Sequence, residues 1–338
     1  MTCEPVQISL EFHIYINNME TKAINFTRGW HDSTKEFCFQ LSDKILFKTD
    51  LRMLMCQLSL TNPACSPADF PAFPEEKPTD IDGFIAWGAP INESESKIQI
   101  SDELIVYIPE RYNRYFTRLD QSFDEYKNTF KSKTRSGIQR KVNKFKKLCG
   151  GSIDFRAYST ANELKEFLTS VKQLSDKTYQ TKLLDAGLPN DPGYHEDLLQ
   201  KAAQNKVRAF LLYKDNQPIS YLLLDAIGNT LIYRYLGYDP TESSNSPGTV
   251  LHWLALEYLT TENQFKYLDF TEGEGQQKRT FGTHSIHCAN IYWLKKNMKN
   301  LALVYSQTAL NQCSRSLGNL FDSLGLKAKL KKLIRNTA

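Results

Sequence analysis

Two acidic residues and a lysine follow a predicted buried strand in the C-terminal half of the sequence. The strand spans residues 265–270, and Asp269, Glu272 and Lys278 lie at its end and in the loop beyond it. An amine attacks a carbonyl carbon only after it loses a proton, so Asp269 or Glu272 could accept that proton directly or through water. Lys278 could stabilise a developing oxyanion or a donor phosphate. The alternative is structural, with Asp269 capping the loop and Glu272 solvated.

A second candidate site is the start of the preceding predicted helix. A helix start leaves backbone N–H groups unpaired and carries partial positive charge, which suits a phosphate group. Proline fits the first helical turn, and glycine lets a ligand approach the backbone. The residues of this predicted pyrophosphate site are Ser246, Pro247, Gly248, Thr249 and Val250. The alternative is an ordinary helix start with Ser246 as its cap.

An arginine in the predicted strand 230–238 is a further candidate. Alternation along the strand places Tyr233 and Tyr235 on one face and Arg234 on the other. An arginine on a central strand needs a carboxylate partner or an anionic ligand. We therefore expect Arg234, with Tyr235 beside it, to bind substrate, or Arg234 to form a structural ion pair.

Residues 131–147 form a strongly basic segment, and the stretch 112–130 before it also has helical spacing. The apolar residues that fall on one face of a predicted helix in the basic segment are Ile138, Val142, Phe145 and Leu148. The basic face is either solvated or binds polyphosphate, tRNA, an anionic glycan or a lipid-linked substrate. If it binds, Arg135 and Arg140 are the expected contacts, because arginine can hold a phosphate with two hydrogen bonds.

The order of predicted elements favours a mixed α/β fold for the C-terminal two-thirds. A strand and two helices precede three strands of an antiparallel meander, a helix and another strand. The meander turns at Asp215-Asn216 and Gly228-Asn229, which tolerate positive φ. The third meander strand, the helix from Pro247 and the strand 265–270 form a β-α-β unit with parallel strands. We expect a ligand cleft at the ends of these strands.

Three stretches match a known family in order and spacing. They are FKSKTR at 130–135 with IQRK at 138–141, YDP at 238–240 with SPGTVL at 246–251, and LDF at 268–270 with Gly273, Lys278, Arg279 and Phe281. Together with the element order they resemble the GNAT acyltransferases, and within them the branch associated with cellulose and exopolysaccharide biosynthesis, which is related to the Fem-type peptidyltransferases. The sequence departs from that pattern at Gln277, where an aromatic residue is common. Ser246-Pro247-Gly248 also replaces the usual Gln/Arg-x-x-Gly-x-Gly/Ala phosphate loop.

The resemblance implies a GNAT-like α+β mixed sheet with a smaller, degenerate GNAT-like N-terminal domain. It implies an N-acyltransferase that uses acyl-CoA as co-substrate and an amine of a sugar, a polysaccharide precursor or a small metabolite as acceptor. Lys278 occupies the position of a lysine that Fem-type enzymes use. Two alternatives stay open: an aminoacyl-tRNA-dependent Fem-type peptidyltransferase, and a non-catalytic GNAT-fold module that binds a polysaccharide or a partner protein.

Length and composition set wider limits. The 338 residues favour an N-terminal α/β domain (1–120), an acyltransferase domain (121–297) and a C-terminal helical segment with a basic tail (298–338). The seven cysteines are scattered and form no C-x-x-C pair, so we expect neither a disulfide framework nor a metal site. The net charge of +4 does not by itself indicate nucleic acid, and we expect no DNA partner.

The two ends of the chain bear on its location. The sequence begins without a basic region followed by an apolar stretch, and no window of about 18 apolar residues occurs, so we expect a cytoplasmic protein. The C-terminal stretch 327–335 mixes basic and apolar residues, from Lys327 to Arg335. It either packs as a terminal helix with a solvated basic face or makes a weak contact with an anionic membrane surface.

Overall fold

The computed structural model describes residues 30–41, 44–57, 80–91, 96–177, 188–272 and 275–323. The chain forms two compact units: unit 1 comprises residues 1–58, 64–112 and 287–338, and unit 2 comprises residues 59–63 and 113–286. Among the described residues, unit 1 combines a segment before Asn113 with a segment from His287 onward. The predicted membrane-contact stretch, Lys327 to Arg335, lies outside the described residues.

The bounds of the elements are as follows. In the described residues the strands are β1 (His31–Leu41), β2 (Lys44–Gln57), β3 (Gly83–Pro90), β4 (Ile98–Ile100), β5 (Leu104–Tyr107), β6 (Arg111–Arg118), β7 (Asp154–Tyr158), β8 (Val207–Lys214), β9 (Gln217–Ile227), β10 (Thr230–Tyr238), β11 (Tyr267–Asp269) and β12 (His284–Lys295). The α-helices are α1 (Phe123–Asn128), α2 (Ser132–Leu148), α3 (Ala161–Lys177), α4 (Pro192–Ala203), α5 (Pro247–Glu262), α6 (Gln276–Phe281) and α7 (Met298–Ser323), and a 3₁₀ turn spans Pro240–Asn245.

Unit 1 is a mixed sheet packed against one long helix. β2 lies between antiparallel β1 and parallel β3. The unit-1 part of β12 pairs antiparallel with β3 and with β5, and β5 pairs with β4. Apolar side chains of these strands, such as Phe37 and Ile85, form a core with Val304 of α7. Gln307 of α7 accepts a hydrogen bond from the Tyr107 hydroxyl at 2.8 Å, which attaches the helix to β5.

Unit 2 is a second mixed sheet with helices on both faces. Its strands run in the order β6-β11-β10-β9-β8-β7, with the part of β6 from Asn113 onward at one end. Successive residues of β8 enter different cores: Phe210 packs with α1, α2 and α5, and Leu211 packs with α3 and α4. Coverage of both faces explains why the meander strands are apolar along most of their length. The mixed sheet and the meander are as predicted.

Local signals place several unit-2 elements. Thr160 and Glu163 form the capping box that opens α3, with the Thr160 amide donating to Glu163 at 2.9 Å. Asp215 and Asn216 both adopt positive φ at the β8–β9 turn, as predicted. Ile138, Val142 and Phe145 are buried on α2, whereas Leu148 is 47% exposed. The prediction for Leu148 was wrong because α2 ends at that residue.

The helix predicted over 112–130 is wrong for the first part of that stretch. β6 occupies the first part of this stretch, and its alternating burial exposes Arg118 but buries Tyr112 and Phe116. The helix α1 begins only at Phe123, where Ser122 and Glu125 form a capping box. The apolar spacing fits both periods, and the pairing of β6 with β11 decides in favour of the strand.

Candidate functional site

The candidate site lies where β10 and β11 part. The two strands are parallel and pair through Thr230, Leu231 and Ile232, which lie opposite residues 267–269. β11 then ends at Asp269, and β10 continues to Tyr238. The helix α5 that joins them begins beside this continuation. The predicted β-α-β unit with parallel strands is confirmed.

Two aspartates flank β10 at the last paired position. Ile232 is the register partner of Asp269 on β11 and of Asp225 on β9. Residues in register on neighbouring strands project to the same face of a sheet, so both carboxylates lie on the face that carries Ile232. Their Cα atoms are about 10 Å apart, two interstrand spacings. Each aspartate pairs with an arginine.

Asp269 is sealed in a buried ion pair. Its side chain is 0% exposed and that of its partner, Arg114, is 3% exposed. Arg114 Nε lies 3.2 Å from Oδ1 and 3.0 Å from Oδ2, and a terminal nitrogen also donates to Oδ2. The Thr271 amide donates to Oδ1 at 2.8 Å, so Asp269 caps the loop after β11. This burial and pairing oppose the expected role of Asp269 as a direct proton acceptor and favour the structural alternative.

Glu272 and Lys278 lie next to this pair, as the sequence suggested. Glu272 is exposed at the start of the loop after β11. Lys278 Nζ donates to the Glu272 carbonyl and lies 3.4 Å from Thr271 Oγ1. Burial lowers the pKa of Lys278, and the nearby carboxylates of Glu272 and Asp269 offset part of that effect. The structure therefore brings together an accessible carboxylate and a lysine whose charge is less favoured than usual.

The start of α5 offers fewer free amides than the sequence indicates. Ser246 has a φ of 53° and its side chain caps nothing, so its predicted capping role is wrong. Its carbonyl accepts the amides of Thr249 at 3.0 Å and Val250 at 3.1 Å. Pro247 has no N–H. Gly248 is buried, and a Cβ added there would lie 3.5 Å from Leu236 Cδ2. The predicted phosphate site is thus reduced to the surroundings of the Gly248 backbone.

A glutamine and a histidine connect α6 to the start of α5. Gln277 Nε2 donates to the Gly248 carbonyl at 3.1 Å and lies 3.5 Å from His252 Nδ1. His252 is fully buried, and its ring stacks on Phe281 with the centroids 4.3 Å apart. Burial lowers the pKa of His252 to about 3, so the ring is neutral at ordinary pH. Gln277, the departure from the family pattern, therefore has a structural partner.

A bulge in β10 changes the predicted faces of the two tyrosines. The register with β9 shifts between Tyr233 and Tyr235, which makes Arg234 the extra residue. Tyr233 packs into the core of α5, and Tyr235 packs into the core of α3 and α4. The prediction that both tyrosines share a face is wrong, because strict alternation does not hold across a bulge. Arg234 Nε donates to Asp225 Oδ1 at 2.6 Å, so Arg234 forms the ion pair that was one of its two predicted roles.

The two predicted arginine contacts, Arg135 and Arg140, both lie on α2. Arg135 donates to Asn128 Oδ1 at 2.8 Å, and Arg140 is exposed. Lys144 of the same helix donates to the Ser244 carbonyl at 3.1 Å, which places α2 beside the 3₁₀ turn before α5. A binding role of Arg135 and Arg140 stays a prediction.

Sequence reasoning missed Arg114 and Asp225. Each is a charged residue in a strand with buried apolar neighbours. This pattern indicates a buried charge that needs a partner, and it could have identified both residues. The partner of each lies on another strand, which spacing along the chain does not reveal.

Two further observations concern metal ions and membranes. No group of three or more His, Cys, Asp or Glu side chains in the described part of the chain is arranged to hold a metal ion. None of its helices combines the length and the apolar character that a membrane span needs.

Comparison with known proteins gives one family match. Residues 132–279 match the family model described as "Acetyltransferase (GNAT) domain". No curated protein matches the sequence significantly.

Three of the similar solved structures share little sequence identity with this chain. FemX is 11% identical, with 90% of this chain and 100% of that chain covered and a TM-score of 0.45. L-PGS from Bacillus licheniformis is 9% identical, with 91% and 99% covered and a TM-score of 0.43. A conserved protein of unknown function from Bacteroides thetaiotaomicron is 13% identical, with 63% and 70% covered and a TM-score of 0.42. Because these TM-scores are below 0.5, the likenesses indicate nothing about activity.

The family match runs from the start of α2 into α6 and includes the position where β10 and β11 separate. It confirms the GNAT-like fold class predicted for this part of the chain. Residues 132–279 are therefore similar to the acetyltransferase domain of the GNAT family.

Proposed function

We propose that unit 2 transfers an acyl group from an acyl-CoA thioester to an amine. The observation that carries the proposal is the parting of parallel β10 and β11 beside the start of α5, within a GNAT domain. Strand ends beside a parallel crossover are the usual ligand sites of α/β folds. A thioester inserted there would reach the sheet at Ile232, between Asp225 and Asp269.

The reaction needs no covalent enzyme intermediate. The acceptor ammonium loses one proton, its nitrogen forms a bond to the acyl carbon, and the carbon–sulfur bond breaks. A second proton leaves the nitrogen and protonates the departing sulfur, so the products are an amide, CoA thiol and one proton released to solvent. Glu272 is the accessible carboxylate that would accept the first proton.

Lys278 and Asp269 have different roles in this proposal. The Lys278 ammonium would stabilise the oxyanion or the donor phosphates. Asp269 acts as a positioning residue, because its carboxylate holds the Thr271 amide and Arg114. The Gly248 backbone at the start of α5 would lie against the donor pyrophosphate. The acceptor would be an amine of a sugar, a polysaccharide precursor or a small metabolite.

Isothermal titration with acetyl-CoA and longer acyl-CoA thioesters tests the donor. We expect at least one thioester to bind and Gly248→Ala to weaken that binding. The added Cβ makes only ordinary contact with Leu236 at 3.5 Å, so the fold should persist. Gly137→Ala on α2 is the matched control, since its Cβ would meet nothing within 4 Å. If no CoA thioester binds the folded protein, the proposal is wrong.

A second candidate donor is an aminoacyl-tRNA, which the surface of α2 favours. Residues 131–147 contain eight lysines and arginines and no acidic residue. Six of the basic side chains in α2 are exposed: Lys133, Arg140, Lys141, Lys144, Lys146 and Lys147. An array of cations suits a phosphate backbone. Filter retention of tRNA at moderate salt, lost in Arg140→Gln with Lys144→Gln, would support this donor. Equal retention of the variant would remove it.

A further inference from the structure

A cavity of about 180 Å³ lies between α4 and the strands β9 and β10. It is lined by two leucines and by six polar residues: Tyr194, Asp197, Lys201, Asp225, Arg234 and Tyr235. The volume is far more than one water molecule needs and less than that of a typical drug-sized site. The cavity therefore fits a small molecule or the reactive end of a larger one.

The charged groups of the cavity alternate in sign. Lys201 Nζ lies 2.7 Å from Asp197 and 3.5 Å from Asp225. Asp225 in turn pairs with Arg234 at 2.6 Å. Two cations and two carboxylates cancel, so a ligand with a single charge would leave one charge unbalanced. A ligand that carries one positive and one negative group matches the cavity without net charge.

The arginine is placed to hold an anionic group. Its bond to Asp225 uses Nε, while a guanidinium also carries four N–H bonds on its terminal nitrogens. The Arg234 side chain is 30% exposed, against 10% for Asp225. The contrast is Arg208 on β8, which is 1% exposed and donates to Glu262 and Gln264. Arg234 thus borders open space that Arg208 lacks.

Two aromatic rings form another side of the cavity. The rings of Tyr194 and Tyr235 meet edge to face, with centroids 6.2 Å apart. Burial raises the pKa of both phenols, which therefore remain neutral hydroxyls. An aromatic face attracts an ammonium group, and a phenol can donate to a carboxylate.

The cavity adjoins the position where β10 and β11 part. Asp225 is the register partner of Ile232, the last residue of β10 that pairs with β11. Arg234 and Tyr235 are the bulge residue and its successor on β10. A nitrogen held near Asp225 would therefore lie beside the proposed thioester position.

We propose that this cavity is the acceptor site of unit 2 and that it takes a small zwitterionic amine of the α-amino acid class. The ammonium lies by Asp225 and Asp197, and the carboxylate lies by Arg234 and Lys201. The assignment as acceptor site rests on the proposed acyl transfer, whereas binding of the zwitterion does not.

Binding to the full-length protein is measured by titration calorimetry with L-alanine, L-serine and L-glutamine. Ethylamine and propionate serve as matched analogues of L-alanine that lack the carboxylate or the ammonium. We expect at least one amino acid to bind, and each analogue to bind at least about tenfold more weakly than L-alanine, since a hydrogen bond to a charged group is worth that much. Absence of amino acid binding, or equal binding of L-alanine and both analogues, would overturn the proposal without any variant.

Variants locate the site. Arg234→Gln should weaken amino acid binding at least about tenfold. Arg156→Gln on β7, which breaks an ion pair with Asp154 outside the cavity, should leave binding unchanged. Equal losses in the two variants would place the ligand elsewhere.

Parallel titrations with acetyl-CoA separate the two proposals. If an amino acid binds and no acyl-CoA does, the cavity proposal stands as a binding site and the acyl-CoA donor is wrong. If acyl-CoA binds and no amino acid does, the cavity proposal is wrong and the donor stands.

Discussion

Two arginine–aspartate pairs flank Ile232 in register, and they differ in exposure. Arg114–Asp269 is sealed, with side chains 3% and 0% exposed. Arg234–Asp225 is partly open, at 30% and 10%, and borders the cavity. A sealed pair can only hold the fold in shape, whereas a partly open pair can exchange its contacts with a ligand. The difference therefore separates a positioning role from a binding role within one sheet.

The largest expected effect comes from breaking the sealed pair. Asp269→Asn removes the carboxylate charge that balances the buried Arg114 guanidinium, which should reduce the free energy of unfolding by about 3–5 kcal/mol. Urea denaturation followed by circular dichroism measures the loss. Asp120→Asn, which breaks the exposed pair with Arg118, is the control and should change stability by less than about 1 kcal/mol. A small loss in Asp269→Asn would show that the pair is not sealed.

Kinetics should distinguish the two sides of Ile232. Lys278→Ala, on the Asp269 side, removes an interaction with the developing charge and should reduce kcat about 100-fold with little change in KM for the acceptor. Arg234→Gln, on the Asp225 side, should mainly raise that KM. Steady-state assays with the bound thioester and amino acid test this. An unchanged kcat in Lys278→Ala would show that Lys278 takes no part in the chemical step.

Lys278 should also set the alkaline limit of activity. Its pKa is lowered by burial, so it loses its proton at a lower pH than an ordinary lysine. If the ammonium is required, kcat should begin to fall at a pH below the usual pKa range of lysine. Lys278→Arg should move this alkaline limit to a higher pH. A pH profile of kcat measures both enzymes, and identical alkaline limits would contradict the assignment.

Mild acid should act through His252 rather than through either pair. The folded ring has a pKa of about 3, while the unfolded one titrates near 6.5, so below that pH only the unfolded state gains the proton. Stability is therefore lost as the pH falls from about 6.5 toward 3. Between pH 8 and pH 5 this amounts to about 2 kcal/mol. Denaturation at pH 8 and at pH 5 measures the free energy of unfolding. Between these pH values His252→Phe should lose about 2 kcal/mol less of it than the unmodified protein, because the phenylalanine ring does not titrate and can still stack on Phe281.

The smallest expected change in stability comes from the open pair. Asp225→Asn leaves Arg234 with access to water and Lys201 with Asp197, so the loss should be about 1 kcal/mol. The same denaturation experiment gives the value. If Asp225→Asn lost as much free energy of unfolding as Asp269→Asn, the two pairs would not differ in their contribution to stability.

Sequence patterns predicted the parts of unit 2 that depend on near neighbours. The meander turns and the helix from Pro247 each follow from residues a few positions apart. The gathering of Glu272 and Lys278 beside Asp269 was also predicted, because all three follow one strand.

The failures involve distant or irregular contacts. Arg114 pairs with Asp269 across 155 positions, and no local pattern encodes that partner. The bulge at Arg234 breaks the alternation on which the faces of Tyr233 and Tyr235 were predicted. The strand β6 was predicted as helix because its apolar spacing fits both, and only its pairing with β11 resolves the choice.

The hydrogen bond from Gln277 to the Gly248 carbonyl has a consequence for its neighbour in the chain. It fixes the short helix α6 against the first turn of α5. Because Gln277 directly precedes Lys278, this bond also positions the backbone of Lys278. Replacing Gln277 with an aromatic residue would remove this anchor and seat α6 by packing instead. A single substitution at Gln277 would thus change the distance between the Lys278 ammonium and the acyl donor without replacing the lysine.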